Sequence, residues 1–227
     1  MVIGNGMIAN SFLRSKTIND VIIFASGVPN SNEVRENEYE REFNLIKKTQ
    51  TEHTNKKLIY FSSTSLETGK KSKYISFKLM IEKYIKSNFS DFLILRLPNI
   101  VGNTENKFQL LPFIKNSLIT KNHIRVKQSC FRYLIDVDDL PLITASLIEN
   151  KIQNKIINVS FDNKIEVIEI VNFFTSKYKI INPTIKFYKD DYIEKEPNNQ
   201  FFLNFIKNDI HQYNHRSIDI LSKYFKN

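Results

Sequence analysis

Tyr74 and Lys78 are the pair in this chain best suited to moving a proton. They stand four apart in a stretch with helical spacing, so both side chains face one side, one turn apart. A lysine cation beside a phenol favours the phenolate. The pairing therefore predicts a lowered tyrosine pKa and a general acid–base that works near neutral pH. Of the ten tyrosines only Tyr74 has a lysine at the fourth following position; the plain alternative is a surface pair. Upstream, Ser62-Ser63-Thr64-Ser65 ends an apolar run, where hydroxyls can project into a cleft, although a serine-rich turn would read the same. Arg96-Leu97-Pro98-Asn99 ends another run, and a proline-terminated strand is its plain reading. Asp136-Val137-Asp138-Asp139 offers paired acids, but no histidine or cysteine cluster completes a metal site. No metal is expected, and Asp138 reads as the N-cap of the next helix.

Glycine marks the turns that would set these groups in place. The chain has only five. Gly4-Asn5-Gly6-Met7-Ile8-Ala9 is a G-x-G-x-x-A turn between a short apolar strand and a helix. Gly4 permits the tight turn, Gly6 lets backbone N–H groups approach a pyrophosphate at the helix N-terminus, and Ala9 lets helix pack on strand. Gly27 closes Ile22-Ile23-Phe24-Ala25-Ser26-Gly27, and Gly102 closes Arg96 through Val101.

Around these turns strand and helix patterns alternate. Val2-Ile3, Asp20 to Ala25, Lys57 to Ser62 and Phe92 to Leu97 read as strands, the second with the continuous apolar run of a strand buried on both faces. The stretches to Ser15, from Ser31 to about Glu52 and from Tyr74 to Ser87 read as helices. Beyond Gly102 helices are expected over Phe108 to Ile119, Asp138 to Glu149, Ile165 to Tyr178 and Ser217 to Phe225, the last with Ser217 as N-cap. Tyr133 to Ile135, Ile156 to Val159 and Ile185 to Tyr188 read as extended. The pattern predicts an α/β fold with a parallel sheet covered on both faces. Residues 1–103 form a first unit, and residues 104–227 form mainly a second lobe, from which Ile156–Val159 returns to the sheet.

Composition narrows the partners. At 227 residues and 26.8 kDa there is room for one large core or a core with an appendage. The formal charge of +9 raises the question of nucleic acid, but the basic residues are dispersed, with Lys70-Lys71-Ser72-Lys73 the longest cluster. An AT-rich coding bias accounts for so much Lys, Asn and Ile, so no nucleic-acid partner is expected. No apolar stretch suits a membrane span, and Met1-Val2-Ile3 leading directly into the glycine turn leaves no room for a signal peptide. Cys130, the single cysteine, has no internal partner, so a reduced cytoplasmic setting is expected.

Taken in order from Gly4 to about Ile170, these motifs resemble the extended short-chain dehydrogenase/reductase family, in its NAD-dependent epimerase/dehydratase group acting on nucleotide sugars. The resemblance implies a Rossmann-like domain binding NAD or NADP, with NAD slightly favoured. Gly4, Asn5, Gly6, Met7, Ile8, Ala25, Ser26, Gly27, Ser62, Tyr74, Lys78 and Pro98 would line the cofactor. Tyr74 and Lys78 would be catalytic, Ser63 would bond the reacting oxygen (Thr64 if the register slips by one), and Asn99 and Arg132 would hold a nucleotide-diphosphate sugar. It also implies a cytoplasmic homodimer, built on the helices after Ser31 and from Tyr74, serving surface polysaccharide synthesis. The activity implied is that of a C4-type epimerase or a 4-ketoreductase; the rival is a non-catalytic binding protein of the same descent.

The sequence departs from the family pattern in three ways. The acid usual about 20 positions past the glycines falls on Ser26-Gly27, so the second and third strands of the usual sheet are missing. Arg14 and Lys16 stand where a 2′-phosphate or solvent would meet them. Only a short loop joins Ser63 to Tyr74, and Thr64 and Ser65 stand where dehydratases carry an acidic pair, which argues against a 4,6-dehydratase.

Overall fold

The computed structural model describes residues 1–15, 20–120, 123–189 and 195–225. In chain order they form β1 (Val2–Ile3), α1 (Met7–Ser15), β2 (Val21–Phe24), α2 (Glu36–Glu52), β3 (Lys57–Ser63), α3 (Lys73–Asn88), β4 (Phe92–Leu97) and β5 (Asn99–Val101). There follow α4 (Leu110–Ile119), β6 (Ile124–Lys127), β7 (Phe131–Arg132), β8 (Leu134–Asp136), α5 (Asp139–Glu149) and β9 (Lys155–Asn158). The chain ends with β10 (Ile165–Glu166), α6 (Val167–Lys177), β11 (Ile185–Tyr188), α7 (Gln200–Ile206) and α8 (Ser217–Tyr224).

Apolar runs without alternation must sit in a sheet covered twice, and the main sheet is built that way. It has five parallel strands in the order β1-β2-β3-β4-β9. The order follows the chain, and β1 is an edge with β2 as its neighbour; among the described residues nothing forms the usual second and third strands of a Rossmann fold. Successive strand residues point to opposite faces. Ile23, Ile59, Phe61, Leu93 and Leu95 therefore pack with Phe12 of α1, with Leu140 and Ile143 of α5 and with Phe202 of α7. Ile22, Phe24, Leu58, Tyr60 and Ile94 pack against Ile46 of α2 and Ile81 and Ile85 of α3. A separate core joins Leu111, Ile114 and Leu118 of α4, Ile170 and Phe174 of α6, and Ile220 and Leu221 of α8. Among the described residues no helix is long and apolar enough to cross a membrane.

Several boundaries differ from expectation. The helix expected from Ser31 begins at Glu36, because Glu33 folds the preceding turn on itself, accepting the Val34 and Arg35 amides at 3.0 Å. Ile165 and Glu166 pair with β7 before α6 begins. Ser217 lies inside α8 rather than capping it: its hydroxyl donates to the Asn163 carbonyl, and Arg216 holds the cap position. Asp138 holds the cap position of α5 but makes no side-chain cap bond. Its carboxylate bridges instead to Arg14 (2.8 Å), Lys223 (2.9 Å) and the Tyr224 hydroxyl (3.0 Å). Arg14 is thus engaged in an ion pair, and Lys16 lies outside the described residues.

Candidate active site

Parallel strands bring their carboxyl ends to one edge of the sheet, where ligands of such folds sit. The register sets Ile3 beside Phe24, Phe24 beside Tyr60, and Ser63 beside Leu97, so the segments that follow β1, β2, β3 and β4 all emerge there. Gly4 turns the chain with φ +125°, and an added Cβ would lie 2.4 Å from the Ala25 carbonyl oxygen, so only glycine fits. Gly6 differs, since an added Cβ would meet no atom within 4 Å. The protein's own packing therefore does not require glycine there, while a ligand approaching the backbone would. The first turn of α1 carries no acidic residue, so its amide groups and the helix dipole are available to an anion. Gly4, Asn5 and Gly6 are exposed, whereas the Met7 and Ile8 side chains pack on the core, leaving their backbone to face a ligand.

From this turn the candidate residues form a connected line. Ala25 and Ser26 lie against Gly4, and Arg41 of α2 donates to the Ser26 carbonyl (3.1 Å) and hydroxyl (2.9 Å). Gly27 meets Lys78: an added Cβ would fall 2.9 Å from its Nζ. Lys78 Nζ lies 5.8 Å from the Tyr74 ring centroid, and the Ser63 hydroxyl at the end of β3 is near enough to favour the Tyr74 phenolate. The Ser63 hydroxyl also meets Ser65 Oγ at 2.8 Å, while Thr64 turns to the Leu97 carbonyl at 3.4 Å. Of the two residues the serine loop offers, Ser63 is the one that acts on the Tyr74 phenol.

Other expected residues are placed differently. Ser62 is buried, and its hydroxyl donates to Glu82 Oε1 at 2.7 Å. Strand alternation that faces Tyr60 toward α2 and α3 does the same to Ser62, so its side chain is turned from the cleft. Arg96 is held by Glu82 (2.7 and 2.9 Å) and Glu67 (2.8 Å), anchoring the end of β4. Pro98 is the half-buried joint between β4 and β5. Asn99 and Arg132 belong to other ladders: Asn99 Nδ2 donates to the Tyr133 carbonyl at 3.3 Å, beside Arg132 on β7. Arg132 donates to Cys130 Sγ at 3.1 Å and the Phe131 carbonyl at 2.7 Å. Among the described residues no group of three or more His, Cys, Asp or Glu side chains is arranged to hold a metal.

The electrostatics of the pair reverse the expected sign. The Tyr74 pKa is raised, first by burial and further by Glu42, and the opposing effects of Lys78 and Ser63 do not prevail. Lys78 is 2% exposed and does not act as an unopposed cation, because Nζ donates to Glu42 Oε1 at 2.8 Å and to the Tyr60 hydroxyl at 2.7 Å. Burial alone would lower the lysine pKa, but Glu42, Tyr74 and Glu82 leave it raised. Two of the three ammonium donors are thereby used. The carboxylate responsible went unread in the sequence, although its signal is there: Tyr39, Glu42, Ile46 and Thr49 form one buried stripe of α2. Glu82 stands likewise among Ile75, Lys78, Ile81 and Ile85 on α3.

No protein-family model and no curated protein sequence matches the chain. Solved structures do. The dTDP-glucose 4,6-dehydratase of Bacillus anthracis, in complex with NAD, superposes with a TM-score of 0.64 at 13% identity, over 90% of this chain and 73% of that one. The UDP-glucose 4-epimerase of Thermotoga maritima, with UDP-glucose, gives 0.59 at 13% identity over 85% and 73%. The PbgP3 protein of Burkholderia pseudomallei gives 0.70 at 13% identity over 97% and 77%. At this identity the likeness is one of fold. The chain shares the fold of these dehydratase and epimerase structures, and among the described residues β1 is the edge of its main sheet.

Proposed function

We propose that this protein is an NAD(P)-dependent nucleotide-sugar oxidoreductase, a C4-type epimerase or a 4-ketoreductase. The observation that carries the reading is the convergence of Ser63, Tyr74 and Lys78 beside Gly27, in line with the Gly4–Gly6 turn at one sheet edge. A dinucleotide fits that edge through the backbone of Gly4, Asn5, Gly6, Met7 and Ile8, with Ala25, Ser26 and Gly27 along its path and Arg41 as a cation near its phosphates. A nicotinamide held there would supply the hydride exchange with a sugar carbon. Tyr74 exchanges a proton with the oxygen on that carbon, and Ser63 orients the oxygen by a hydrogen bond. Lys78 keeps one donor for a cofactor ribose while fixed by the other two. Asn99 and Arg132 hold the nucleotide-diphosphate sugar, with residues 104–227 as the lobe that closes on it. NAD is favoured over NADP because the matched dehydratase holds NAD and Arg14 is engaged with Asp138. We further place the protein in the cytoplasm as a homodimer serving surface polysaccharide synthesis, on the family resemblance alone.

One observation favours a second reading, a non-catalytic binding protein. With β1 at the edge, no second strand among the described residues carries an acid to the adenosine ribose. Tyr74→Phe separates the two. As an enzyme, the variant loses turnover of UDP- or dTDP-sugars by roughly 10²–10⁴-fold and still binds the cofactor. If the wild type turns over none of these sugars in either assay, epimer formation or NADH consumption, while binding cofactor, the binding-protein reading stands.

A further inference from the structure

A glutamate on the buried side of a helix needs partners, and Glu42, with no exposed surface, has three. It accepts from Lys78 Nζ at 2.8 Å, from the Tyr60 hydroxyl at 2.5 Å and from the Val28 amide at 2.7 Å. Lys78 also donates to Tyr60 at 2.7 Å, which closes a ring of three polar groups from α2, α3 and β3. A buried ion pair is poor value as a cross-link between helices, because apolar side chains of like size serve as well or better. This one sits against Gly27 and beside Tyr74, where its charges act on the reacting group.

We propose that Glu42 is a positioning residue of the Ser63–Tyr74–Lys78 site: its carboxylate fixes the Lys78 ammonium and offsets its charge at Tyr74, holding the phenol as the proton donor to a carbonyl oxygen. The proposal rests on the oxidoreductase reading for its consequence, though not for its measurement. The charged and titratable groups around the phenol are Lys78 on its own helix, Glu42 and Tyr39 on α2, Tyr60 on β3, and Glu82, which faces Lys78 and Tyr60. Of these, Lys78 is the cation that acts on Tyr74, and Glu42 is the anion bonded to it. A lysine held this way serves as a fixed donor for a ribose hydroxyl, and Glu42 opposes part of its effect on the phenol.

Tyrosinate absorbance near 295 nm tests this without any turnover. The Tyr74 signal is the difference between each protein and the same protein carrying Tyr74→Phe, which removes the contribution of Tyr60. With Glu42→Gln the Lys78 charge is uncompensated, and Tyr74 ionises about one pH unit or more lower than in the wild type. Glu42→Asp, which keeps the charge, restores most of the difference. If folded Glu42→Gln leaves the Tyr74 titration unmoved, the proposal fails and the pair is a structural cross-link. Should Glu42→Gln not fold, the double variant Glu42→Gln/Lys78→Met removes both charges. Its Tyr74 should titrate within about half a unit of the wild type, whereas a rise of about one unit would show that Lys78 acts unopposed in the native protein and would overturn the proposal. Failure of cofactor binding would count against the oxidoreductase reading and leave this titration intact.

Discussion

Tyr74 keeps its proton because burial penalises the phenolate and Glu42 offsets the nearby cation. A donor with a raised pKa works wherever it is protonated, so activity in the reducing direction should hold from pH 7 to about 10 and fall only above the ordinary tyrosine value. A pH–rate profile with a falling limb near pH 8 would contradict this. Gly6 gives a cleaner residue-scale test. Its Cβ position is open, so Gly6→Ala should change the unfolding free energy by no more than about 1 kcal/mol, the scale of a helix-cap change. The same methyl stands where a diphosphate would approach, and cofactor affinity should drop at least about tenfold. Urea melts and titration calorimetry on one preparation measure both; equal affinity would remove the glycine turn from the site.

At the scale of elements, α1, α5 and α8 are tied by acids. Asp136 is fully buried and accepts from Lys223 (2.7 Å), Asn214 (3.1 Å) and Tyr224. Asp139 beside it accepts the Asn214 amide at 2.9 Å, and burial and the Asp136 charge push its pKa up to about 7. Because the folded value is raised, its stabilising contribution is complete below the unfolded value of about 3.9 and is lost as pH rises through about 7. The unfolding free energy should therefore fall between pH 5 and pH 8. Asp139→Asn keeps an acceptor for Asn214 and should shrink that fall by about 1.4 kcal/mol or more, the worth of one pKa unit. Equal slopes in the two proteins would refute the assignment. These ties also show where the sequence stops being legible. Strands β1 to β4 and helices α1, α3, α4 and α5 could be placed from apolar period, glycine and proline. The partners of Asp138 and Ser217 could not, because Lys223, Tyr224 and Asn163 are distant in sequence. Helix α7 is hard to read because its 7 residues give only one buried pair at helical spacing, Phe202 and Ile206, and Asn199 at its cap position makes no side-chain cap bond. At the active site the tyrosine, lysine and serine were visible, but their sign was not. Whether Lys78 lowers the Tyr74 pKa depends on Glu42, a residue 36 positions away.

Across the whole molecule, the described residues build the half of a Rossmann fold that carries the candidate site, and none of them continues the sheet past β1. On the proposed reading, recognition of a dinucleotide falls on the glycine turn, Ser26 with Arg41, and the Gly27–Lys78 contact. The most direct test is thermal melting of protein stripped of bound cofactor, with NAD+, NADH, NADP+ and NADPH in turn. At about 100 times its dissociation constant a cofactor adds roughly 2.7 kcal/mol, which for a chain of this size is a rise of about 5–11 °C. The account predicts that rise with the NAD pair and a smaller one with the NADP pair. No rise with any of the four would contradict it.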